Sequence, residues 1–530
     1  MYAMTGQNSI LKERVISLSR WDFYAVLVIF FVLVLQALNW YHFPLFLDCY
    51  YHLSVMMGFA DAGGWVGVSF WEYAPFGRPH LYPPLFHILE LAVFKSGFSP
   101  ITVARFFDFL IYPFFLFIDW RILRDIFSKE LAFFNLLLLA SSYPLYLAMV
   151  NNIPFVLALL AGILSFYFIQ KGRLWSSVLC LALSFYAHSL MSWISFAAIF
   201  IYGLLNTRTR KAAFLACLGS CVLASPFLIH QAKYYLFFNP VRVLEFFFFS
   251  ATPVLYLLSF FGLLLAYRKR GPYLFFVALA VSMSALLFTN RDRFFSGQGC
   301  IPASFLAAVV IDDLWKRIFL NKQKWYRALF FAVFFLVFFL ATPVVVYSPE
   351  VTKNSIVHRP PLLSISSRVF DESGAGGPRS EKGMTFYHPA VVDDMVRLVT
   401  ENSSSEDIVF SNYSYGGGMI TALANRATSG AMLHEVLPFD LRDPVAQARL
   451  VLVFKDQQDR FFSGLPQLVE RYGLRKIGET DLAALYSNDG CGFVRQVIPA
   501  KIPFWLMFGL FFAVLASIYI ENKLMKKKLT

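Results

Sequence analysis

The sequence predicts a polytopic α-helical membrane protein, with about 12–13 transmembrane helices and a small external α/β domain near the C-terminus. Of its 530 residues, 58% are hydrophobic and only 15% are charged, whereas soluble domains are roughly a quarter charged. Its mean hydropathy is +0.59. Successive apolar runs of about 17–22 residues are long enough to cross the hydrocarbon of a bilayer, and a polar segment with glycine and proline interrupts them near the end of the chain.

The positive charge is distributed in short clusters between the apolar runs. The net charge is +13, yet the clusters alternate with the runs, which is the positive-inside pattern and not a nucleic-acid surface. Both termini are therefore predicted to be cytoplasmic. The expected external turns lie near Tyr143–Pro154, His188–Trp193, His230–Ser250 and Thr289–Cys300.

The first part of the chain is predicted to hold one long external loop. The apolar run Trp21–Phe43 reads as an uncleaved anchor that leaves the cytoplasm, and residues 44–100 follow it as the loop. Tyr82–Phe98 begins with Pro83 and Pro84 and carries several ionisable residues. It is expected to lie at the outer interface and not to cross.

A transmembrane domain is predicted over residues 1–347, ending in a long apolar helix, Trp325–Tyr347. Residues 348–501 form the external domain, and residues 502–530 hold a final span, Ile502–Ile520, and a basic cytoplasmic tail. Within the external domain the pattern predicts these strands and helices: Ile408–Phe410, Leu450–Phe454 and Ala483–Tyr486; Ala390–Thr400 and Leu465–Tyr472.

Two further patterns leave alternatives open. Gly416, Gly417 and Gly418 fit a tight turn from strand to helix, with a phosphate cradle as the alternative. The six cysteines lack zinc or redox spacing. A disulfide among Cys49, Cys300 and Cys491 is one arrangement that the predicted topology permits.

Ionisable and aromatic residues are concentrated in the first external loop. Asp48 lies about five residues past the predicted end of the first helix, at the headgroup boundary, where a carboxylate can act as general base on a hydroxyl. The alternative is a helix-capping or interfacial aspartate. The loop residues that suit a sugar pocket, or a divalent metal as an open alternative, are Tyr51, His52, Glu72, Arg78, His80 and Tyr82.

The order of these residues resembles the GT-C glycosyltransferases, in particular the protein mannosyltransferases and the aminoarabinose transferases of lipid A. The matching features are Asp48 with His52 in the first external loop, then Tyr82-Pro83-Pro84-Leu85, then Ala104-Arg105, then a basic turn with Arg121, Arg124 and Lys129. Cys49 stands where a second acidic residue is frequent, and Tyr82 stands where lysine commonly precedes Pro-Pro. The Trp-Trp-Asp-Tyr-Gly motif of oligosaccharyltransferase is absent from the sequence.

The resemblance implies an inverting glycosyltransferase that moves a sugar from a polyprenyl-phosphate donor at the outer or lumenal membrane face. Asp48 would deprotonate an acceptor that is protein, lipid or glycan, and cationic residues would hold the donor phosphate. The candidates for that role are Arg105, Arg291, Arg293, Lys233 and Arg242.

Two other functions remain as alternatives: a transporter or flippase for a lipid-linked substrate, and a non-catalytic partner subunit. The sequence contains no repeated half, a feature that would have favoured the transporter. Outside the predicted site, His188 is expected to be a hydrogen-bonded packing residue. Asp119 and Asp125 are expected to form salt bridges on the inner side.

Overall fold

A computed structural model describes most of the chain. The described residues are 19–38, 40–42, 48–151, 153–238, 249–289, 291–295, 297–320, 324–335, 343–347, 355–358, 379–381, 384–386, 389–432, 435–440, 442–455 and 464–529.

Helices dominate the described residues. In chain order they are α1 Arg20–Leu38, α2 Asp48–Ala62, α3 Leu85–Lys95, α4 Pro100–Ile126, α5 Lys129–Ser141, α6 Tyr143–Asn151, α7 Ile153–Gln170, α8 Leu174–Ala187, α9 Ser189–Leu205, α10 Arg210–Lys233, α11 Pro253–Lys269, α12 Tyr273–Met283, α13 Leu286–Thr289, α14 Arg291–Phe295, α15 Cys300–Leu320, α16 Lys324–Phe335, α17 Pro389–Glu401, α18 Ser414–Met419, α19 Leu465–Tyr472 and α20 Phe504–Leu529.

The strands are short. They are β1 Gly64–Trp65, β2 Val68–Ser69, β3 Arg78–Pro79, β4 Phe249–Ala251, β5 Pro343–Tyr347, β6 Ser355–His358, β7 Arg379–Glu381, β8 Met384–Phe386, β9 Ile408–Ser411, β10 Ala427–Thr428, β11 Leu450–Phe454, β12 Arg475–Glu479, β13 Ala483–Ser487 and β14 Ile502–Pro503.

Six helices in the described part of the chain are long and apolar enough to cross a membrane: α1, α4, α7, α10, α15 and α20. Shorter apolar helices, including α8 and α9, pack among them. The predicted membrane architecture is therefore confirmed, while the count of about 12–13 spans stays a prediction.

The predicted long helix Trp325–Tyr347 is wrong at its C-terminal end. The helix α16 ends at Phe335 within the described residues, and Pro343–Tyr347 is instead the strand β5. Its Val-Val-Val run pairs antiparallel with β4 and β6, and β-branched residues favour such pairing over a helix.

The segment 44–100, predicted as a loop, contains regular structure. Asp48 begins the helix α2, so it does not lie in a loop, and α3 covers Leu85–Lys95. With 11 residues, α3 is about 16 Å long at 1.5 Å per residue and is too short to cross about 30 Å of hydrocarbon by itself. The expectation that Tyr82–Phe98 does not cross the membrane agrees with this length of α3.

The bundle has two chemically different ends. Arg124 at the end of α4 pairs with Asp22 at the start of α1, so these helices are antiparallel. Asp125 pairs with Lys171, just beyond α7, at the same end. The start of α2 and the α8–α9 turn at His188 belong to the opposite end, where Tyr82 and His188 are in contact. We call the first the paired end and the second the site end.

The C-terminal domain is built on a five-stranded mixed sheet with the order β10-β9-β11-β13-β12. The strand β9 pairs in parallel with both β10 and β11, whereas β13 pairs antiparallel with β11 and β12. The three predicted strands and two predicted helices are confirmed, with bounds that differ by at most one residue at each end.

The glycine cluster does not form the predicted turn. Gly416, Gly417 and Gly418 lie inside the short helix α18. A Cβ atom on Gly416 would come within 2.2 Å of the Phe454 ring, so the missing side chain lets α18 pack closely on the sheet. The phosphate-cradle alternative has no support in this position.

The C-terminal domain is joined to the site end over a continuous surface. Apolar residues of α2 and α3 share one core cluster with residues of α17, β9 and β11. Thr428 of β10 donates its amide hydrogen to the Trp71 carbonyl at 2.9 Å, and Ala74 donates to the Thr428 carbonyl at 2.9 Å. The segment around Trp71 thus extends the edge of the sheet.

Candidate functional site

Asp48 is the first residue of α2 and is half-buried at the site end. A helix N-terminus favours a negative charge, because the first amide groups have no partners in the helix. Burial nevertheless raises the pKa of Asp48 to about 6, with a further upward contribution from the charge of Glu435. The carboxylate is thus tuned toward neutral pH, as a general base requires.

Arg293 and Glu435 are the charged residues that act on Asp48 from outside its own helix. The positive charge of Arg293 in α14 lowers the pKa of Asp48 and opposes the two raising effects. Arg293 also acts on Tyr82 and His188. Arg293 therefore lies near the space around Asp48, Tyr82 and His188, which fits its predicted place in the site.

Aromatic rings line this space next to Asp48. The ring of Tyr82 lies 5.6 Å from that of Tyr51 and 5.4 Å from that of His52. His52 Nδ1 lies 3.0 Å from His87 Nε2, and burial lowers the pKa of His52 to about 3. These two imidazoles are neutral and share a hydrogen bond, so the predicted residues Tyr51, His52 and Tyr82 are brought together as a wall of the site.

Glu72 and Arg78 form a buried ion pair beside this wall, with side chains only 4% and 3% exposed. Arg78 also donates to the Val436 carbonyl at 3.1 Å, and its guanidinium lies 5.5 Å from the Tyr73 ring centre. These contacts make the pair a brace between the segment before α3 and the C-terminal domain.

His80 lies behind the aromatic wall. Its Nδ1 is 2.9 Å from Ser69 Oγ, and its carbonyl is 2.9 Å from His230 Nε2. Burial lowers the pKa of His80 to about 3. His80 thus connects α10 to the site as a neutral residue.

The other predicted phosphate ligands are less central. Arg105 lies near the start of α4, with its guanidinium 5.8 Å from the Tyr41 ring centre, and Lys233 lies 5.0 Å from the Tyr234 ring at the exposed end of α10. Arg291 is exposed at the start of α14. Arg242 lies outside the described residues.

Three residues outside the predicted site, His188, Asp125 and Asp119, have defined partners in the structure. His188 accepts a hydrogen bond from the Met191 amide at 3.3 Å, which confirms its packing role. Asp125 forms its predicted salt bridge with Lys171 at 2.7 Å. The salt bridge predicted for Asp119 is wrong, because its carboxylate accepts instead from Asn135 at 2.6 Å in an apolar interior.

The structure bears on two alternatives from the sequence, a disulfide and a divalent metal site. All six cysteines belong to the described residues and none forms a disulfide there, so the disulfide alternative is wrong. No group of three or more histidine, cysteine or acidic side chains with metal-binding geometry occurs in the described part of the chain. Glu72 and His80 each have protein partners there, and a metal requirement stays an untested alternative.

Sequence reasoning missed Glu435 and Tyr415. Both belong to the C-terminal domain, and the charge of Asp48 contributes, after burial, to raising the pKa of Tyr415. Glu435 is fixed by its neighbour Val436, which bridges to Phe238 and accepts from Arg78. They stand more than 360 positions after Asp48, without a spacing that would have linked them to it.

Solved structures of other proteins share the fold of this chain, whereas comparisons by sequence find no match. Neither a protein-family profile nor a curated protein matches the sequence. Solved structures do match: the oligosaccharyltransferase AglB of Archaeoglobus fulgidus has a TM-score of 0.56 at 12% identity, covering 88% of this chain and 74% of AglB. ArnT of Cupriavidus metallidurans has a TM-score of 0.55 at 14% identity, covering 89% of this chain and 99% of ArnT.

Lipid phosphates are present in further structures of these neighbours. AglB has been solved with an inhibitory peptide and a dolichol-phosphate, and ArnT with undecaprenyl phosphate, at TM-scores of 0.55 and 0.53 to this chain. These neighbours are GT-C proteins, so the chain has the GT-C fold that the sequence resemblance predicted.

Proposed function

We propose that this chain is an inverting glycosyltransferase that uses a polyprenyl-phosphate-linked sugar at the outer or lumenal membrane face. The observation that carries the proposal is the arrangement of Asp48 and Arg293. A half-buried carboxylate with a pKa near 6 and an arginine face the same space at one end of a GT-C bundle.

The reaction follows from the roles of these two groups. Asp48 takes the proton from an acceptor hydroxyl, and the resulting oxygen attacks the anomeric carbon from the face opposite the phosphate. The bond between the anomeric carbon and the phosphate oxygen breaks, and its electron pair leaves with the lipid phosphate. The sugar is inverted because attack and departure occur on opposite faces.

Arg293 offsets the charge that develops on the departing phosphate. Arginine suits this role because its planar fork donates two hydrogen bonds to phosphate oxygens. A preformed cation at the position of developing charge lowers the barrier without a reorganisation cost. Arg105 on α4 is a secondary candidate, placed to contact the phosphate if the lipid enters beside Tyr41.

The neighbours support the donor class. AglB and ArnT structures contain dolichol-phosphate and undecaprenyl phosphate, which fits a carrier whose tail stays in lipid while its phosphate reaches the site end.

Purified full-length protein in lipid nanodiscs tests the proposal. It would be incubated with a set of radiolabelled polyprenyl-phosphate sugars and a mixed acceptor extract, and we expect label to move to the acceptor with loss of the lipid-linked donor. The Asp48→Asn protein is the matched control. Movement of donor between leaflets without cleavage would identify a flippase, and absence of both would leave the partner-subunit alternative.

A further inference from the structure

A cavity of about 530 Å³ lies in the C-terminal domain, apart from the space around Asp48. Its floor is the end of β9, from Phe410 to Tyr413, and its walls come from the turn after β10 and from Pro438, Asp440, Arg442, Pro444 and Gln447. Tyr73 from the segment before α3 closes one side.

The cavity occupies a favourable position in the sheet. The strand β9 stands between β10, which follows it, and β11, which comes later still. The chain therefore leaves the carboxyl ends of β9 and its parallel neighbours in opposite directions. Such switch points open a crevice in which α/β domains commonly bind ligands.

Two buried polar side chains of the lining have no hydrogen-bond partner among the described residues. Ser429 is 1% exposed and its hydroxyl is unpartnered, and Gln447 is 4% exposed with an unpartnered side-chain nitrogen. Buried polar groups are normally satisfied. Two exceptions on one cavity point to a ligand that supplies the missing hydrogen bonds.

The neighbouring polar groups already have partners inside the protein. Asn412 exchanges hydrogen bonds with the backbone of Phe454, and Ser411 bonds to the backbone of Tyr413. The Thr428 hydroxyl donates to the Gly430 carbonyl at 3.1 Å. These groups shape the cavity, whereas Ser429 and Gln447 are left for a ligand.

The chemistry of the walls identifies the class of ligand. Tyr73, Phe410 and Tyr413 offer aromatic faces, which suit the apolar C–H faces of a sugar ring. Asp440 and Arg442 at the rim form an ion pair at 2.8 Å, so the charges of the lining cancel. A neutral cavity with aromatic faces and uncharged hydrogen-bonding groups is unsuited to a polyanion and too polar for a lipid tail.

Aromatic contacts connect this cavity to the space around Asp48. The ring of Tyr413 lies 5.5 Å from that of Tyr415, whose pKa responds to the charge of Asp48. On the other side, Tyr73 lies against the guanidinium of Arg78. Tyr415 therefore links the lining of the cavity to the surroundings of Asp48.

We propose that the cavity at the end of β9 binds a neutral carbohydrate unit of the acceptor, so that the acceptor is a glycan. This inference rests on the proposed glycosyltransferase function. The unpartnered Ser429 and Gln447 hydrogen-bond ring hydroxyls, the aromatic faces stack on the ring, and an adjoining sugar presents its hydroxyl to Asp48.

Binding of sugars without donor tests the inference. Methyl glycosides of glucose, galactose, mannose and N-acetylglucosamine, and disaccharides built from them, are titrated by calorimetry into purified full-length protein. We expect saturable binding of at least one disaccharide. Ser429→Ala and Gln447→Leu should each weaken it by about tenfold, the usual effect of one lost hydrogen bond.

Thr421→Val is the matched control. Thr421 also has a buried, unpartnered hydroxyl, yet it does not line the cavity. Because each substitution removes an unsatisfied group, all three variants should keep the wild-type unfolding temperature. Equal weakening by Thr421→Val, no binding of any sugar tested, or binding of serine-containing peptides in place of sugars would overturn the inference.

Transfer assays separate the two proposals. Asp48→Asn should bind the disaccharide as the wild type does while losing transfer. Sugar binding without any transfer by the wild type would remove the proposed function. Transfer by a protein that binds no free sugar, or whose acceptor KM is unchanged by Gln447→Leu, would remove the carbohydrate cavity alone.

Discussion

The two ends of the helix bundle hold their carboxylates in opposite ways. At the paired end, Asp22, Asp125 and Asp312 each form an ion pair with a basic residue, at 2.9, 2.7 and 2.6 Å. These contacts join α1 to α4, α4 to the turn after α7, and successive turns of α15. The carboxylates at this end are therefore paired, and the pairs stabilise contacts between helices and between turns of one helix.

At the site end, Glu435 and Arg293 come from different parts of the chain and both act on the charge of Asp48. Burial shifts the pKa of Asp48 upward, toward neutral pH. Asp22, Asp125 and Asp312 are thus held in ion pairs that stabilise the bundle, whereas the surroundings of Asp48 bring its carboxyl into the pH range of acid–base chemistry.

The largest effect should come from the two aspartates that represent these ends. Asp48→Asn keeps the shape and removes the base, so transfer should fall by about 10²–10⁴-fold, the usual contribution of a general base. Asp125→Asn, at the paired end, should leave the rate within a few fold. Steady-state transfer rates decide, and similar losses in both variants would remove the distinction.

The buried Glu72–Arg78 pair tests whether the site end also has a structural brace. Glu72→Gln leaves Arg78 without its partner in a site that is 3% exposed, so the free energy of unfolding should fall by about 3–5 kcal/mol. Asp394→Asn breaks the exposed pair with Arg397 and should cost less than about 1 kcal/mol. Denaturant titrations in detergent measure both; a small loss for Glu72→Gln would contradict the brace.

The two arginines of α14 sharpen the assignment of the donor site. Arg293→Gln should lower kcat by on the order of 10²-fold, as expected when one stabiliser of developing charge is removed. Arg291→Gln is the matched control, since Arg291 is exposed on the same short helix. Equal losses would show that the segment matters as a whole and not through the guanidinium of Arg293.

The smallest effect concerns the pH dependence of transfer. The base works only when ionised, so kcat/KM should rise with pH through a midpoint near 6, the pKa of Asp48. Glu435→Gln removes a negative charge that raises this pKa, so the midpoint should move down. Arg293→Gln removes a positive charge that lowers the pKa, so the midpoint should move up. Shifts in the same direction for both variants would rule out this electrostatic account.

Local patterns were sufficient for much of the fold. Hydropathy predicted the membrane helices, a short apolar run located β11 and an amphipathic pattern located α19, both with their observed bounds. The extension of the last transmembrane-domain helix to Tyr347 failed because a valine-rich apolar run suits a strand as well as a helix, and only its pairing partners decide.

The candidate site likewise has features that the sequence predicted and features that only the tertiary structure established. By itself, the sequence predicted a polytopic membrane protein with an acidic residue after its first helix and a resemblance to the GT-C fold, because hydropathy and motif order are properties of neighbouring residues. Tertiary structure alone decided that Glu435 and Tyr415 lie near Asp48 and Arg293, and that Ser429 and Gln447 share a cavity with Tyr73. Such contacts depend on how distant segments pack, and no pattern along the chain records them.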